Sequence, residues 1–149
     1  MRHPSTILLT MTTLAFVAAV CTMSFGGDEN RPKEFKVHPI GYVKKTDDKT
    51  TIVLDKKYEP GLLRMEKQEE IWVLWWFDRN DTPEKRSILQ VHPRGNTDNP
   101  LTGVFATHSP VRPNLIAMTR CKIISVEGNV IEIESIDAFP DTPVLDIKS

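Results

Sequence analysis

The stretch Leu115-Ile-Ala-Met-Thr-Arg-Cys-Lys-Ile-Ile-Ser-Val-Glu-Gly-Asn-Val-Ile-Glu-Ile-Glu-Ser-Ile136 decides the fold class of this chain. In its second half, isoleucines at positions 131 and 133 alternate with glutamates at 132 and 134, which is the pattern of a half-buried strand. The turn-forming residues Glu127-Gly128-Asn129 interrupt the apolar pattern. The stretch therefore predicts a β-hairpin with strands over residues 115–126 and 130–136.

Shorter strand-like runs lie on both sides of this hairpin. The continuous apolar run Ile71–Phe77 predicts a strand that is buried on both faces. The polar segment Lys44–Lys49 predicts a turn between two strands. The remaining predicted strands are Ile40–Val43, Thr51–Leu54, Ile88–Val91, Thr102–Thr107 and Val144–Ile147.

Helix signals are few and short. Leu62–Met65 predicts a single helical turn, and Asp81-Thr82-Pro83-Glu84 has a capping residue followed by proline, which predicts the start of a brief helix. Eleven prolines in 149 residues argue against long helices. Many strands with short helical turns predict a mostly β, compact single domain, built as a barrel or a sandwich.

The amino-terminal segment has a different composition from the rest. Arg2 is followed by residues 7–25, which carry no charge, and Ser24-Phe25-Gly26 offers small residues for cleavage. This pattern predicts a signal peptide or membrane anchor over residues 1–26, with export favoured over a retained anchor. Residues 27–38 are polar and proline-punctuated and predict a linker, so the domain is expected to span residues 39–149.

The charge balance does not favour a protein that binds nucleic acid through bulk attraction. The chain has 19 basic and 20 acidic side chains, and loss of residues 1–26 would remove only Arg2 from this count. Residues 31–57 nevertheless hold eight basic residues against four acids, so a local basic face and an ordinary solvated surface both remain open. Cys121 would then be the one remaining cysteine and is expected in the core.

The proline-rich segment around Arg112 is the strongest candidate for a binding loop. Pro110 and Pro113 bracket this arginine and restrict its backbone, and a rigidly held guanidinium suits a carboxylate or a phosphate. An internal acid or loop carbonyls could equally be its partners. The sequence has no Walker, GxGxxG, CxxC, HExxH or GxSxG motif, and its four histidines have no metal-ligand spacing, so no metal is expected.

Two motifs resemble one known family. Residues 103–119 read GVFATHSPVRPNLIAMT, and residues 142–148 read TPVLDIK. This ordered pair resembles the TrmO (YaeB-like) family of S-adenosylmethionine-dependent tRNA methyltransferases, whose blocks read approximately GVFATRSPxRPNPIGLS and DGTPVLDIKPY. Residues 40–43 and 71–77 resemble the opening and central strands of that family, so the resemblance extends over residues 39–149.

The resemblance implies a barrel-like β domain that forms homodimers and uses S-adenosylmethionine as its cofactor. It implies tRNA N6-threonylcarbamoyladenosine as the methyl acceptor. No catalytic residue is implied, because the sulfonium of the cofactor is already activated and the enzyme mainly has to hold donor and acceptor in line. By resemblance, the cofactor contacts fall at His108, Arg112, Asn114, Met118, Ala138, Phe139, Pro140 and Asp141.

Several positions depart from the family pattern. His108 stands where the family has arginine, Pro140-Asp141 replaces its Asp-Gly pair, and the PRQ segment after the first strand is missing. With the leader, these departures favour a second hypothesis: an exported, non-catalytic binding module with an altered cofactor site. The protein is expected to be extracytoplasmic or membrane-anchored if the leader functions, and cytoplasmic otherwise. A third hypothesis makes Trp72, Trp75 and Trp76 an aromatic ligand platform, against the simpler interpretation as a core strand.

Overall fold

Six antiparallel strands close into a barrel. The computed structural model describes residues 34–149, and one compact unit runs from Lys36 to Ser149. The predicted leader and residues 27–33 of the predicted linker lie outside the described residues. The barrel strands are β1 (Gly41–Lys45), β2 (Thr50–Leu54), β3 (Glu70–Trp76), β6 (Ile116–Glu127), β7 (Val130–Ile133) and β8 (Pro143–Lys148). Around the barrel they follow one another in the order β1-β2-β7-β6-β3-β8. Of the two sequence-based alternatives, the barrel is therefore correct.

The predicted hairpin supplies the longest strand of the barrel. β6 has 12 residues and pairs with two neighbours, because residues 116–122 lie beside β3 and residues 123–127 lie beside β7. The register shifts between Ile123 and Ser125, and such a bulge bends a strand. Gly128 in the turn has a φ of +57°, a conformation that glycine adopts without steric cost. The bend carries β6 around the corner that closure requires.

The barrel interior holds one apolar core. Its fully buried members include Val43, Ile52, Val73, Ile131 and Val144, which come from β1, β2, β3, β7 and β8. Inward and outward side chains alternate along β1, β3 and β7, since successive Cβ atoms point to opposite faces.

The expectation that Ile71–Phe77 is buried on both faces is wrong. Ile71, Val73 and Trp75 face the interior, whereas Trp72 on the outer face is 40% exposed. The physical reason is that a closed barrel has a single interior, so the other face of each strand meets solvent unless another layer covers it.

Short helices and a two-stranded ribbon connect the strands of the barrel. The predicted brief helix is α1 (Pro83–Ser87), and the hydroxyl of Thr82 caps it by accepting a hydrogen bond from the Lys85 amide at 3.3 Å. The predicted strands Ile88–Val91 and Thr102–Thr107 are shorter than expected and pair only as the ribbon β4 (Gln90–Val91) and β5 (Thr102–Gly103). Residues 104–106 form a 3₁₀ turn instead.

The segment between β2 and β3 is helical over other residues than expected. The predicted turn at Leu62–Met65 is displaced, since 3₁₀ turns occupy Lys56–Leu62 and Met65–Lys67. Arg64 lies between them with a φ of 69°, which no right-handed helical turn allows. None of the helices within residues 34–149 is long and apolar enough to cross a bilayer.

Cys121 lies in the core, as expected from its strand-like surroundings. Burial raises the pKa of its thiol to about 11, because the charged thiolate is disfavoured away from water. The side chain is therefore a protonated, unreactive part of the packing near neutral pH.

Gly41 is required by a close approach of two strands. A Cβ atom at this position would lie 2.7 Å from the Leu54 Cα and still closer to the carbonyl oxygen of Val53. Both neighbours are backbone of β2, which cannot move without disturbing the β1–β2 ladder.

We expect Gly41→Ala to lower the free energy of unfolding by roughly 1–3 kcal/mol, since overpacking forces a backbone shift. Urea denaturation followed by circular dichroism measures this change. Gly61→Ala is the matched control: nothing lies within 4 Å of a Cβ there, so its effect should stay within about 0.5 kcal/mol. Equal stability of the two variants would contradict this account of Gly41.

Candidate functional site

A cavity of about 1010 Å³ opens at one end of the barrel. Its floor includes Trp75 and Thr119 on the paired strands β3 and β6, where the indole Nε1 of Trp75 donates to the Thr119 hydroxyl at 3.0 Å. Phe77 packs edge-on against Trp75 with ring centroids 4.7 Å apart. These contacts fix the aromatic floor, and three connecting segments form the walls.

The first wall is the proline-rich loop that contains Arg112. Two local hydrogen bonds shape it: the Ser109 amide donates to the Thr107 hydroxyl at 3.2 Å, and the Val111 amide donates to the Ser109 hydroxyl at 3.3 Å. Such side-chain acceptors replace the regular backbone pairing that a loop lacks. The loop returns to the barrel at Leu115, which is fully buried and whose carbonyl accepts from the Phe77 amide at 2.8 Å.

Arg112 is half-buried in this wall and lines the cavity. Its guanidinium donates to the Thr107 carbonyl at 3.4 Å, so part of its role is to brace the loop. None of the ion pairs in residues 34–149 involves Arg112. Most of its five donors are therefore available to a ligand, and the two sequence-based interpretations of this residue are compatible.

The second wall is the segment between β7 and β8, which contains Ala138, Phe139 and Pro140. Adjacent lysines of β1 hold it: Lys45 Nζ donates to the Ile136 carbonyl at 2.8 Å, and Lys44 forms an ion pair with Asp141. Successive side chains of a strand point to opposite faces, so the two lysines contact this segment from opposite faces of β1. Together they fix the segment at two points, the Ile136 carbonyl and the Asp141 carboxylate.

The third wall is the turn Asp78–Asn80, which follows β3. The Arg79 guanidinium lies 3.9 Å from the centroid of the Phe139 ring, which links this wall to the second one. Among the described residues the Arg79 guanidinium forms no ion pair. Arg79 therefore presents a cation with free donors at the cavity.

The structure brings six of the eight candidate cofactor residues to this one cavity: His108, Arg112, Met118, Ala138, Phe139 and Pro140. Asn114 and Asp141 are not among the lining residues. The Asn114 carbonyl accepts from the Ile116 amide at 2.8 Å and helps start β6. Asp141 has a φ of 66°, and its side chain points to Lys44.

Sequence reasoning missed several residues of the cavity. Lys45, Asp78 and Arg79 line it, but each lies in a segment that looks like an ordinary polar turn or strand end. One sequence feature could have indicated that residues 78–80 line the cavity: they directly follow the apolar strand. Connections at one end of a barrel meet around a common opening.

The three tryptophans do not form a single platform. Trp75 faces the cavity, whereas Trp72 and Trp76 are on the opposite face of β3. The Trp76 indole donates instead to Asp81 at 3.2 Å.

Among residues 34–149, no group of three or more histidine, cysteine or acidic side chains is arranged to hold a metal.

Comparisons with known proteins agree with this architecture. Residues 31–149 match the family model described as tRNA-methyltransferase O N-terminal domain. A protein of Methanocaldococcus jannaschii named "Probable S-adenosyl-L-methionine-binding protein" is 45% identical over 114 residues, which is 76% of this chain and 90% of the relative. The human tRNA (adenine(37)-N6)-methyltransferase is 41% identical over 90 residues, which is 60% of this chain.

A crystal structure of TrmO from P. aeruginosa is also similar, with a TM-score of 0.59 and 25% identity over 80% of this chain. The match spans only 56% of that TrmO chain, and 20% of the human relative. The barrel, the matched range and the sequence identity lead to one conclusion: the chain belongs to the family of the tRNA-methyltransferase O N-terminal domain.

Proposed function

We propose that this protein is a methyltransferase that uses S-adenosylmethionine as its cofactor and a tRNA adenine as its acceptor. One observation carries the proposal. The two motif segments, which lie more than twenty residues apart in the chain, contribute His108, Arg112, Met118 and Thr142 to a single cavity. The names of the archaeal and human relatives support the choice of cofactor and reaction.

The residues of the cavity fit such a cofactor. A volume of about 1010 Å³ lies at the upper end of the range for small-molecule sites, so a cofactor and part of an acceptor could share it. Trp75, Phe77 and Phe139 offer apolar and aromatic contact for an adenine ring. When bound, the cofactor supplies a methyl group on an activated sulfonium, so the protein needs no strong nucleophile or metal for this step.

Arg112 and Arg79 are the residues we assign to anionic groups. Both line the cavity with guanidinium donors that no acid occupies among the described residues, and a guanidinium suits a carboxylate because it can donate two parallel hydrogen bonds. His108 can also donate one hydrogen bond from its exposed ring. Their task in the proposed reaction is to hold donor and acceptor in line.

The proposed acceptor is the N6 atom of adenine 37 in tRNA, in its threonylcarbamoyl form. The human relative carries adenine(37)-N6 in its name, and the resemblance of the motif pair to TrmO motivates the threonylcarbamoyl group. That group bears a carboxylate, which matches the cations at the cavity.

A second candidate is an exported, non-catalytic binding module on the same barrel. The leader-like pattern of residues 1–26 and the histidine at position 108 favour it. The two candidates differ in a measurable way, because the module would show no methyl transfer.

We further propose that the chain forms a homodimer through the rim of the cavity. Four large apolar side chains that line the cavity are well exposed: Phe105 is 78% exposed, Phe139 59%, Met118 48% and Ile116 39%. Exposed apolar clusters of this kind are typical of surfaces that meet a partner.

Isothermal titration with S-adenosylmethionine tests the cofactor site. We expect Arg112→Ala to weaken binding by about tenfold to 150-fold, since a hydrogen bond to a charged group contributes roughly 1.5–3 kcal/mol. Arg120→Ala is the charge-matched control: Arg120 pairs with Glu70 away from the cavity, so binding should be unchanged. Wild-type protein that fails to bind at millimolar cofactor would refute the proposed function.

Transfer of a labelled methyl group tests the reaction. We expect the wild-type protein to label a tRNA that carries threonylcarbamoyladenosine at position 37, and to leave the same tRNA with guanosine at that position unlabelled. At low cofactor concentration Arg112→Ala should label it at least about tenfold more slowly. Cofactor binding without any label transfer would instead favour the non-catalytic module.

Sedimentation velocity tests the dimer. We expect Phe105→Ser to shift the protein towards monomer, because it places a polar side chain in the apolar rim. Leu63→Ser changes a side chain that is 84% exposed but does not line the cavity, so it should leave the association state unchanged. A wild-type monomer at tens of micromolar would rule the dimer out.

A further inference from the structure

Helix α1 lies behind the candidate site and lines no part of the cavity. Two of its consecutive residues nevertheless reach two cavity walls. Lys85 Nζ donates to the Arg79 carbonyl at 3.2 Å and to the Asn80 side-chain oxygen at 2.9 Å. Arg86 donates to the Pro113 carbonyl at 3.0 Å, in the loop that carries Arg112. A helix of five residues thus connects the Asp78–Asn80 turn with the proline-rich loop.

Three groups fix the position of the Arg86 side chain. Its Nε donates to Asp81 Oδ1 at 2.7 Å, and its guanidinium lies 5.3 Å from the centroid of the Trp76 ring. Asp81 is held in turn by the Trp76 indole, which donates to its second oxygen at 3.2 Å. The third group is the carbonyl of Pro113. A guanidinium fits this arrangement because its planar fork serves two acceptors at once.

The charges of this cluster are stable near neutral pH. The hydrogen bond from Arg86 lowers the pKa of Asp81, with a smaller contribution from Trp76 in the same direction. The same bond raises the pKa of Arg86. Lys85 and Glu84 are the neighbouring charged groups on α1, and the Lys85 ammonium donates its hydrogen bonds to the turn at residues 79–80. Asp81 and Arg86 are therefore both charged at physiological pH.

The contact to Pro113 matters because of where it lies. Pro113 directly follows Arg112 and is separated from the buried Leu115 by Asn114 alone. Proline restricts the backbone torsions but does not fix where the loop lies relative to the barrel. The Arg86 contact is what ties this part of the loop to a helix on another segment, 27 residues away in sequence.

We infer that Arg86 is a positioning residue for Arg112: it holds the proline-rich loop so that the Arg112 guanidinium points into the cavity. Arg86 itself touches no ligand in this scheme. The inference rests on the proposed function, since it requires Arg112 to contact the cofactor. A positioning role differs from a purely stabilising one in a single respect. Replacing Arg86 must weaken cofactor binding only when Arg112 is present.

A double-mutant cycle in cofactor affinity tests this coupling. The full chain is titrated with S-adenosylmethionine as wild type, Arg86→Gln, Arg112→Ala and the double variant, and thermal unfolding of each is recorded. We expect Arg86→Gln to weaken binding by about three- to tenfold in the wild-type background and by less than about 1.5-fold when Arg112 is already alanine. Lys85→Gln is the matched control, because it releases the other wall and its effect should be the same in both backgrounds.

The outcomes separate this inference from the proposed function. Equal weakening by Arg86→Gln in both backgrounds, or no weakening where Arg112→Ala itself weakens binding, overturns the role of Arg86 alone. Wild-type protein that binds no cofactor overturns the proposed function and this inference together. If Arg86→Gln fails to fold, the same cycle is run with Arg86→Lys, which keeps the ion pair with Asp81 but lacks the forked second donor for Pro113.

Discussion

The pairing of β6 with two different neighbours is the constraint on which the barrel depends. The backbone amides and carbonyls of β6 pair with β3 along its first half and with β7 along its second half. The bulge between Ile123 and Ser125 bends the strand and makes this change of partner possible. If β6 ran straight, the sheet would have two open edges with unpaired amides and carbonyls. Closure instead forces every strand to have one inner and one outer face, and that division sorts the core from the solvent-facing side chains.

The parts of the fold that follow from local signals could be predicted. Gly128-Asn129 between alternating runs defined a hairpin, and Thr82-Pro83 defined a helix start, because turns and caps involve neighbouring residues only. Closure could not be predicted this way. The contacts that distinguish a barrel from a sandwich, such as β8 lying between β1 and β3, join residues about 70 to 100 positions apart. The same limit explains why Ile71–Phe77 was expected to be buried on both faces.

The candidate site shows the same division between local and long-range information. Motif comparison found the two segments that contribute most of the cavity, since their residues are distinctive in sequence order. It could not find Arg79 or Lys45, whose importance depends on what lies opposite them: a Phe139 ring and an Ile136 carbonyl from another segment. It also included Asn114 and Asp141, which do not line the cavity, and the Asp141 carboxylate pairs with Lys44 instead. Adjacency in a motif does not determine where a side chain points.

The three walls of the cavity come from segments near residues 79, 110 and 138, which lie far apart in sequence and meet only when the strands that carry them are in place. This arrangement has a consequence for folding. The strand pairings that bring these segments together join residues far apart in sequence, and such long-range pairings form slowly. A ligand that fits the site can bind only the finished domain and would stabilise that state against unfolding as a whole, rather than any partly folded form.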